Sequence, residues 1–452
     1  MSSSLICWSG VGEVTGSNFE FSGDFGRVLI DCGLIQGTRA CEKENLEPFA
    51  YNPKEIDMLV VTHAHLDHIG RIPKLVKDGF EGVIFSTVET HKLAEIMFED
   101  ALHLLTEEAS RDGHEPPYGK EDVDKTLSLW RGLPYHQKVD INKGLSFSLL
   151  DAGHILGSAM VEFVRNGVKA VFTGDLGNSP APLLRPTEDL SQVQYLLMES
   201  VYGDRNHEPQ EERDERFAEV VLDTIKRGGT VVIPAFSLER TQNILFALHK
   251  LSKSGRLPEV PVFVDSPLAI KVTDIYRESG EAFNAEVAKQ MRESDIFNLP
   301  KLSLTRTQEE SQAIARVKRP KIILAGSGMS AGGRVTRHEK EYLPDPNSTI
   351  LLVGYQSLGT LGRILDSGAK EVTIEGLKVP VRARLLNIRG FSSHKDSRAL
   401  VDFVDKTSST LKQVFVAMGE PKASLFLVQR LRDYLGVNAL YPERGKKYSL
   451  EI

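Results

Sequence analysis

Three histidines and one aspartate lie within a single six-residue stretch, His63-Ala-His65-Leu-Asp67-His68. The stretch follows the apolar run "LVV" and precedes "IGRIPKLVKDG", so we expect it on a loop between a strand and a helix. Alternate residues of an extended loop point the same way, so His63 and His65 can share one metal ion while Asp67 and His68 face a second position. Imidazole nitrogens and carboxylate oxygens are typical zinc ligands. The pattern favours a metal site over the alternative, a surface histidine cluster.

Three further candidate residues stand at the ends of apolar runs, beside small residues. His154 lies in "DAGHILGSA", Asp175 in "VFTGDLG" and Asp31 in "VLIDCG". Small neighbours let the backbone and a ligand come close together. Alone, each residue is more typical of a turn or of a satisfied polar group, but together with the histidine stretch they indicate one metal centre.

The elements that must position these residues form an α/β pattern. The first part of the chain alternates short apolar strands with turns, and segments such as "ETHKLAEIMFEDALHLLTEEAS" have helical periodicity. The middle alternates helices of 12 or more residues with buried strands such as "TVVIPAF", which predicts a mostly parallel sheet with helices on both faces. Charged or turn-rich stretches predict domain boundaries near Arg205 and near residues 367–370.

Bulk properties exclude some classes of protein. A length of 452 residues predicts two or three domains. No apolar run is long enough to span a membrane, and the N-terminus does not resemble a secretory signal. The three cysteines, Cys7, Cys32 and Cys41, have no metal-type spacing and fit reduced thiols, so we expect a cytoplasmic protein without a membrane partner. The net charge of −7 argues mildly against a nucleic-acid partner, although a local groove can still be basic.

Two more stretches complete a resemblance to a known family. "LLMESVYGDR" contains Glu199 and "GFSSHKD" contains His394. Together with the histidine stretch they resemble the motifs of the metallo-β-lactamase fold and of its β-CASP subfamily of nucleases. The likeness covers essentially the whole chain, and it is greatest to short bacterial and archaeal relatives of the messenger-RNA 3′-end cleavage endonuclease. It implies an α/β fold, an αββα sandwich formed by residues 1–204 and 369–452, with a β-CASP domain inserted at 205–368.

The resemblance also implies a role for each metal ligand. The first zinc ion would take His63, His65 and His154, and the second would take Asp67 and His68. Asp175 would bridge the two ions, and Asp31 would hold a ligand histidine in its tautomer from outside the coordination sphere. Two zinc ions are therefore expected, and manganese is an alternative metal.

The implied reaction is hydrolysis of phosphodiester bonds in single-stranded RNA. A metal-bridged hydroxide would attack the phosphorus and leave 5′-phosphate and 3′-hydroxyl ends. His394 would protonate the leaving oxygen, and Glu199 would orient His394. The expected catalytic residues are therefore His394, Glu199 and Asp67. The alternative for His394 is a place at the start of a helix near Ser392 and Ser393.

The glycine-rich stretch "AGSGMSAGGR" is a weaker candidate. Its backbone N–H groups could hold an RNA phosphate, with Ser327 and Arg334 as side-chain ligands and Arg337 or Arg363 as added charge. Tight packing against the sheet explains the glycines equally well.

One position departs from the family. Relatives have a histidine in a His-Gly-Glu motif that completes the second zinc site, and this chain has Met418-Gly419-Glu420. A thioether is a poor ligand for such a zinc ion, so position 418 is expected to lack a ligand and to weaken the second site. An RNA-binding or scaffold subunit with impaired chemistry is therefore the main alternative, and a small-molecule hydrolase on the same core is the third. The sequence does not distinguish endonuclease from 5′ exonuclease action, or a monomer from a homodimer.

Overall fold

The computed structural model describes residues 3–36, 43–356 and 359–452. The chain divides into two compact units. The first unit comprises Met1–Asn206 and His394–Ile452, and the second comprises His207–Ser393. Among the described residues, no helix combines the length and the apolar content that a membrane span needs.

Short strands dominate the first part of the first unit. Its strands are β1 (Ser3–Ser9), β2 (Asn18–Gly23), β3 (Gly26–Ile30), β4 (Met58–Val60), β5 (Val83–Thr87), β6 (Trp130–Leu133), β7 (Val139–Asn142), β8 (Leu145–Asp151), β9 (Ala159–Arg165), β10 (Val168–Phe172) and β11 (Tyr195–Met198). Its helices are α1 (Leu66–Ile69), α2 (Ile72–Lys77), α3 (Val88–Asp112) and α4 (Lys120–Ser128).

The second unit alternates helices and strands. Its strands are β12 (Thr230–Pro234), β13 (Val262–Asp265), β14 (Leu302–Leu304), β15 (Lys321–Ala325), β16 (Thr349–Leu352), β17 (Glu371–Ile374), β18 (Leu377–Pro380) and β19 (Arg384–Asn387). Its helices are α5 (Gln210–Lys226), α6 (Arg240–Lys253), α7 (Pro267–Glu278), α8 (Ala285–Glu293), α9 (Gln308–Ala313), α10 (Val335–Tyr342) and α11 (Leu361–Asp366).

The C-terminal part of the chain returns to the first unit. It contains helices α12 (Ser397–Asp405) and α13 (Pro421–Leu435) and strands β20 (Gln413–Val416), β21 (Ala439–Leu440) and β22 (Lys447–Leu450). β22 pairs with β1, and β20 pairs with β11, so the last segment adds strands to both sheets of this unit.

Two seven-stranded sheets face each other in the first unit. Their strand orders are β22-β1-β2-β3-β4-β5-β6 and β21-β20-β11-β10-β9-β8-β7. Alternating apolar residues of both sheets meet in one buried layer, where the Phe21 ring lies 5.0 Å from the Phe163 ring. Helices α12 and α13 cover the outer face of the second sheet, and α3 packs on β5 and β6. The result is the expected αββα sandwich.

The directions of the strands explain where the candidate residues gather. β10, β11 and β20 are parallel to one another, and β8 runs in the same direction because β9 is antiparallel to both of its neighbours. Their carboxyl ends therefore meet at one edge of the second sheet, just before His154, Asp175, Glu199 and Met418. In the first sheet, β3 and β4 are parallel and end just before Asp31 and His63.

The sheet of the second unit is parallel throughout. Its order is β14-β13-β15-β12-β16-β19, with β17 and β18 as a separate hairpin. β12 is buried along its whole length, in agreement with the continuous apolar run "TVVIP". Helices α5 and α10 pack against this strand.

The second division of the chain differs from the sequence expectation. We expected the return to the first domain at residue 369, whereas the structural division falls between Ser393 and His394. The reason is that "RLLN" pairs as β19 with β16 and extends the sheet of the second unit. The first division, between Asn206 and His207, lies close to the expected one.

Candidate metal centre

The change from strand to helix spreads the histidine stretch over two sides. His63 follows β4 after two residues, and His65 has an extended backbone, with φ −67° and ψ 144°, at the N-terminal cap of α1. Asp67 and His68 lie within this four-residue helix. The backbone therefore turns between the two pairs of side chains.

Four ligand atoms converge on one point in the first unit. The group comprises His63, His65, His154 and Asp175, whose ligand atoms all lie within 4.8 Å of one another. His63 Nε2 lies 3.0 Å from His65 Nδ1, and His154 Nε2 lies 3.4 Å from the same Nδ1. Asp175 Oδ2 lies 3.4 Å from His63 Nε2 and 3.6 Å from His154 Nε2.

These separations fit a divalent metal ion. Donors at about 2.0–2.2 Å from a tetrahedral zinc ion lie about 3.3–3.6 Å from one another. The observed set agrees within a few tenths of an ångström. Three imidazoles, of which His63 and His154 are buried and His65 is half-buried, turn nitrogens toward each other and toward one carboxylate. This is the donor set that such an ion needs.

The electrostatics of these imidazoles suits ligation. Burial lowers the pKa of His63, and it lowers the pKa values of His65 and His154 well below the ordinary value. The three rings are therefore neutral at neutral pH and have lone pairs free for a metal. Burial alone would raise the pKa of Asp175, but His68 and His394 hold it well below its usual range, so this carboxylate is ionised.

A second, smaller group of donors lies on the other side of Asp175. His68 Nε2 is 3.4 Å from Asp175 Oδ1, 4.0 Å from Asp67 Oδ2 and 3.3 Å from Ser17 Oγ. His68 Nδ1 donates to Asp31 Oδ2 at 2.7 Å, an arrangement that leaves Nε2 as the metal-facing atom. Burial raises the pKa of Asp67, whose side chain is 18% exposed.

His68 differs from the other imidazoles in its charge. Burial would lower its pKa, but the carboxylates of Asp175 and Asp31 raise the pKa of His68 well above the ordinary value. Without metal, His68 therefore carries protons on both nitrogens, and a metal ion at this position must displace the Nε2 proton.

Glu199 and His394 lie beside the same carboxylate. Glu199 directly follows β11 and is fully buried, and its Oε1 accepts hydrogen bonds from His394 Nδ1 at 3.0 Å and from the Leu176 N–H at 2.8 Å. His394 Nδ1 is also 4.0 Å from Asp175 Oδ2. Burial would lower the pKa of His394, but Glu199 and Asp175 raise it to about 9.

Met418 belongs to the apolar core. Its side chain is fully buried with residues of both sheets, and its N–H donates to the Gly10 carbonyl at 2.8 Å. Its φ of 48° is in the left-handed region. A short turn after β20 thus presents this position to the sheet edge where the ligands gather.

The expected phosphate ligands lie in the second unit and have partners within it. Arg334 Nη1 pairs with Asp265 Oδ1 at 2.8 Å, and its Nη2 donates to the Arg306 carbonyl. Ser327 Oγ accepts from the Ala331 N–H at 3.0 Å. The Arg334 guanidinium therefore bonds mainly to oxygen atoms of its own unit. Arg337 donates to Ser311 Oγ.

Sequence reasoning missed two polar residues that hold the site together. The Thr62 N–H and Oγ1 donate to the two oxygens of Asp31 at 2.7 and 2.8 Å and fix the carboxylate that binds His68. Lys395 donates from Nζ to the Gly177 carbonyl, two residues after Asp175. Each adjoins a candidate residue in sequence, and that adjacency was the available signal.

Comparison with known proteins decides the family. Three family models match consecutive parts of the chain: a metallo-β-lactamase superfamily domain at residues 20–192, a Beta-Casp domain at 241–365 and a Zn-dependent metallo-hydrolase RNA specificity domain at 378–442. The protein named Ribonuclease TTHA0252 from Thermus thermophilus is 37% identical over 99% of this chain and 97% of its own length. The chain belongs to the β-CASP family of metallo-β-lactamase-fold proteins. It is thus a metal-dependent hydrolase by family.

Other members of the β-CASP family are also similar to the chain. An RNase J-like protein of Methanocaldococcus jannaschii is 33% identical over 93% of both chains. A transcription termination factor, FttA, of Methanosarcina mazei is 34% identical over 95% of this chain and 68% of its own length. A crystal structure of an Enterococcus faecalis protein of unknown function matches the whole chain with a TM-score of 0.57 at 14% identity, a likeness of fold alone.

Proposed function

We propose that this β-CASP protein is a zinc-dependent ribonuclease that hydrolyses phosphodiester bonds of single-stranded RNA and leaves 5′-phosphate and 3′-hydroxyl ends. The observation that carries the proposal is the convergence of His63, His65, His154 and Asp175 beside the Glu199–His394 pair. The ribonuclease names of two relatives and the RNA specificity domain matched at 378–442 support RNA as the substrate.

The metal ligands would divide as the geometry groups them. His63, His65, His154 and one oxygen of Asp175 would hold the first zinc ion, and His68, Asp67 and the other oxygen of Asp175 would hold the second. When bound, zinc supplies Lewis-acid stabilisation of phosphoryl oxygens and makes water a better nucleophile at neutral pH. Manganese would suit the carboxylate-rich second position.

His394 is placed to act as the general acid. Its Nδ1–H donates to Glu199, so the ring orientation is set and Nε2 can carry the proton for the leaving 3′ oxygen. With a pKa raised to about 9 by Glu199 and Asp175 against the effect of burial, this ring is protonated at neutral pH. Glu199 is an orienting and charge-stabilising partner in this scheme.

The other sequence predictions belong to the same proposal. Asp31 would fix His68 in the tautomer that ligation requires, and Met418 would leave the second position one ligand short. Ser327 and Arg334 would contribute to RNA phosphate binding, although the contacts of Arg334 with Asp265 favour a structural role for that guanidinium. A cytoplasmic location and a homodimer remain predictions.

A second candidate function is favoured by Met418 alone. A β-CASP protein with a weakened second metal position could act as an RNA-binding or scaffold subunit. The two functions differ in turnover: the scaffold would bind single-stranded RNA but leave it intact at saturating zinc.

The test uses a single-stranded oligoribonucleotide labelled at the 5′ end in one reaction and at the 3′ end in another. The ribonuclease should yield fragments that a 5′-phosphate-dependent exonuclease degrades, and the two labels together distinguish internal cleavage from 5′ exonuclease action. Stable binding of the RNA without any fragment at saturating zinc would support the scaffold function instead.

A further inference from the structure

Three segments that carry candidate site residues meet at Gly177. This glycine follows Asp175 by two residues, and its N–H donates to the Ala152 carbonyl at 2.8 Å, in the loop that leads to His154. On its other side it forms an isolated antiparallel bridge with His394. The packing is so close that a Cβ built on Gly177 would lie 1.9 Å from the Gly153 carbonyl oxygen.

Lys395 forms hydrogen bonds with this junction. Its N–H donates to the Leu176 carbonyl at 2.9 Å, and its Nζ donates to the Gly177 carbonyl at 2.8 Å and lies 3.4 Å from Ser179 Oγ. The residue is only 6% exposed. The Lys395 ammonium group thus links the segment that contains His394 to the loop that contains Asp175.

Burying a lysine side chain at this junction is unfavourable in free energy. Burial lowers the pKa of Lys395 to about 8, although the charges of Glu199, Asp189 and Asp396 act in the opposite direction. The hydrogen bonds of its Nζ among the described residues go to a carbonyl and a hydroxyl oxygen. Burying a charge that is bonded only to neutral oxygens costs several kcal/mol, and an apolar side chain of similar length would usually stabilise the fold more. Packing alone therefore does not explain a lysine here.

We propose that Lys395 is a positioning residue, which fixes the loop of Asp175 against the segments of His154 and His394 so that metal ligands and general acid share one geometry. The proposal rests on the ribonuclease function proposed above. Lys395 would act through the loop of Gly177, because its hydrogen bonds go to Leu176, Gly177 and Ser179 and not to a proposed metal ligand.

The test is the variant Lys395→Met, which keeps the length of the side chain and removes the cationic donor. We expect kcat for the labelled oligoribonucleotide to fall about 10-fold with KM changed less than about twofold, because a small misplacement of reacting groups is costly. We also expect the melting temperature to stay or rise, because a buried charge is lost. The control is Lys447→Met, an exposed lysine of the same unit, which should match the wild type in all of these.

A second readout does not depend on RNA cleavage. With Co²⁺ as the probe metal, the visible absorption bands of the bound ion should differ between Lys395→Met and wild type, because the Asp175 carboxylate shifts. If wild type does not cleave RNA, the proposed function fails while the cobalt spectra still test Lys395. Wild-type kcat and an unchanged cobalt spectrum in the variant would overturn the inference. Loss of folding stability in step with kcat would overturn it as well, since the lysine would then serve the fold.

Discussion

At the scale of single residues, Asp175 divides its two oxygens between two unequal sets of donors. Oδ2 faces His63 and His154, and Oδ1 faces His68. The first set has three neutral imidazoles, whereas the second has one imidazole that must lose a proton and one partly exposed carboxylate. The proposed metal positions are therefore expected to differ in affinity, with the weaker one more dependent on pH.

The role of His394 can be separated from metal binding. In His394→Ala, bound zinc should stay while the single-turnover rate constant for cleavage falls about 10²–10⁴-fold, the usual contribution of a general acid. Zinc content by atomic absorption and single-turnover cleavage, measured on the same sample, make the comparison. A fall of zinc content in proportion to the rate would make His394 a ligand and contradict the assignment.

Position 418 offers the reverse experiment, a gain of binding. Met418→His should raise the affinity for the second metal ion, because an imidazole would add a donor to a position that has three. The effect should be largest at low zinc, since saturating metal fills a weak site by mass action. Zinc titration into metal-stripped protein measures it. Met198→His is the control for a buried histidine, because Met198 is fully buried in the other core cluster of the same unit. Two ions bound equally tightly by wild type would show that another residue already fills the gap.

At the scale of elements, the loops after β8 and β10 approach so closely that only glycine fits between them. Gly177→Ala places a methyl group 1.9 Å from the Gly153 carbonyl oxygen, so the loops must separate. We expect a loss of about 1–3 kcal/mol in the free energy of unfolding and a lower zinc content. The control is Gly119→Ala, whose added Cβ has its nearest contact at 3.9 Å. Equal melting temperatures and zinc contents in the two variants would contradict the close packing of these loops.

In the second unit, a buried carboxyl group predicts a pH dependence of stability. Glu239 accepts hydrogen bonds from Tyr276 Oη and Asn243 Nδ2, and burial raises its pKa to about 7. Because the folded pKa lies above the unfolded one, the stabilisation is fully present below about pH 4.5 and is lost as the pH rises through 7, by at most about 3 kcal/mol.

The variant Glu239→Gln should flatten this dependence. Hydrogen exchange of the α7 backbone, corrected for the intrinsic pH effect, should slow less on acidification from pH 7.5 to 5 in the variant than in wild type. Glu339, whose pKa burial also raises to about 7, leaves some dependence in both proteins. If hydrogen exchange in the variant and in wild type changed equally with pH, ionisation of Glu239 would not alter the stability of the fold.

At the scale of the whole molecule, the sequence carried the fold class and the family. Motifs at strand ends are local, so the positions of the candidate ligands could be read before their partners were known. Parallel strands then bring those ends to one edge, and this explains why residues far apart in sequence, such as His63 and Asp175, lie close together.

Other features could not be read from the sequence because they depend on pairing. The sequence of the strand "RLLN" is compatible with a sheet of either unit. Only its pairing with β16 places it in the second unit. The position of Lys395 depends on the contact between two loops more than 200 residues apart. The ion pair of Arg334 with Asp265 was hidden for the same reason.

The central claim is that metal held by the four-donor cluster drives RNA cleavage. Its most direct test compares wild type with His65→Ala, with His103→Ala as the control because His103 is exposed on α3. Zinc bound per chain and cleavage of a single-stranded RNA are measured together, with and without a chelator. We predict that wild type and His103→Ala bind zinc and cleave, that the chelator stops both, and that His65→Ala loses zinc and shows no cleavage. Cleavage that survives both the chelator and the His65→Ala substitution would contradict the account.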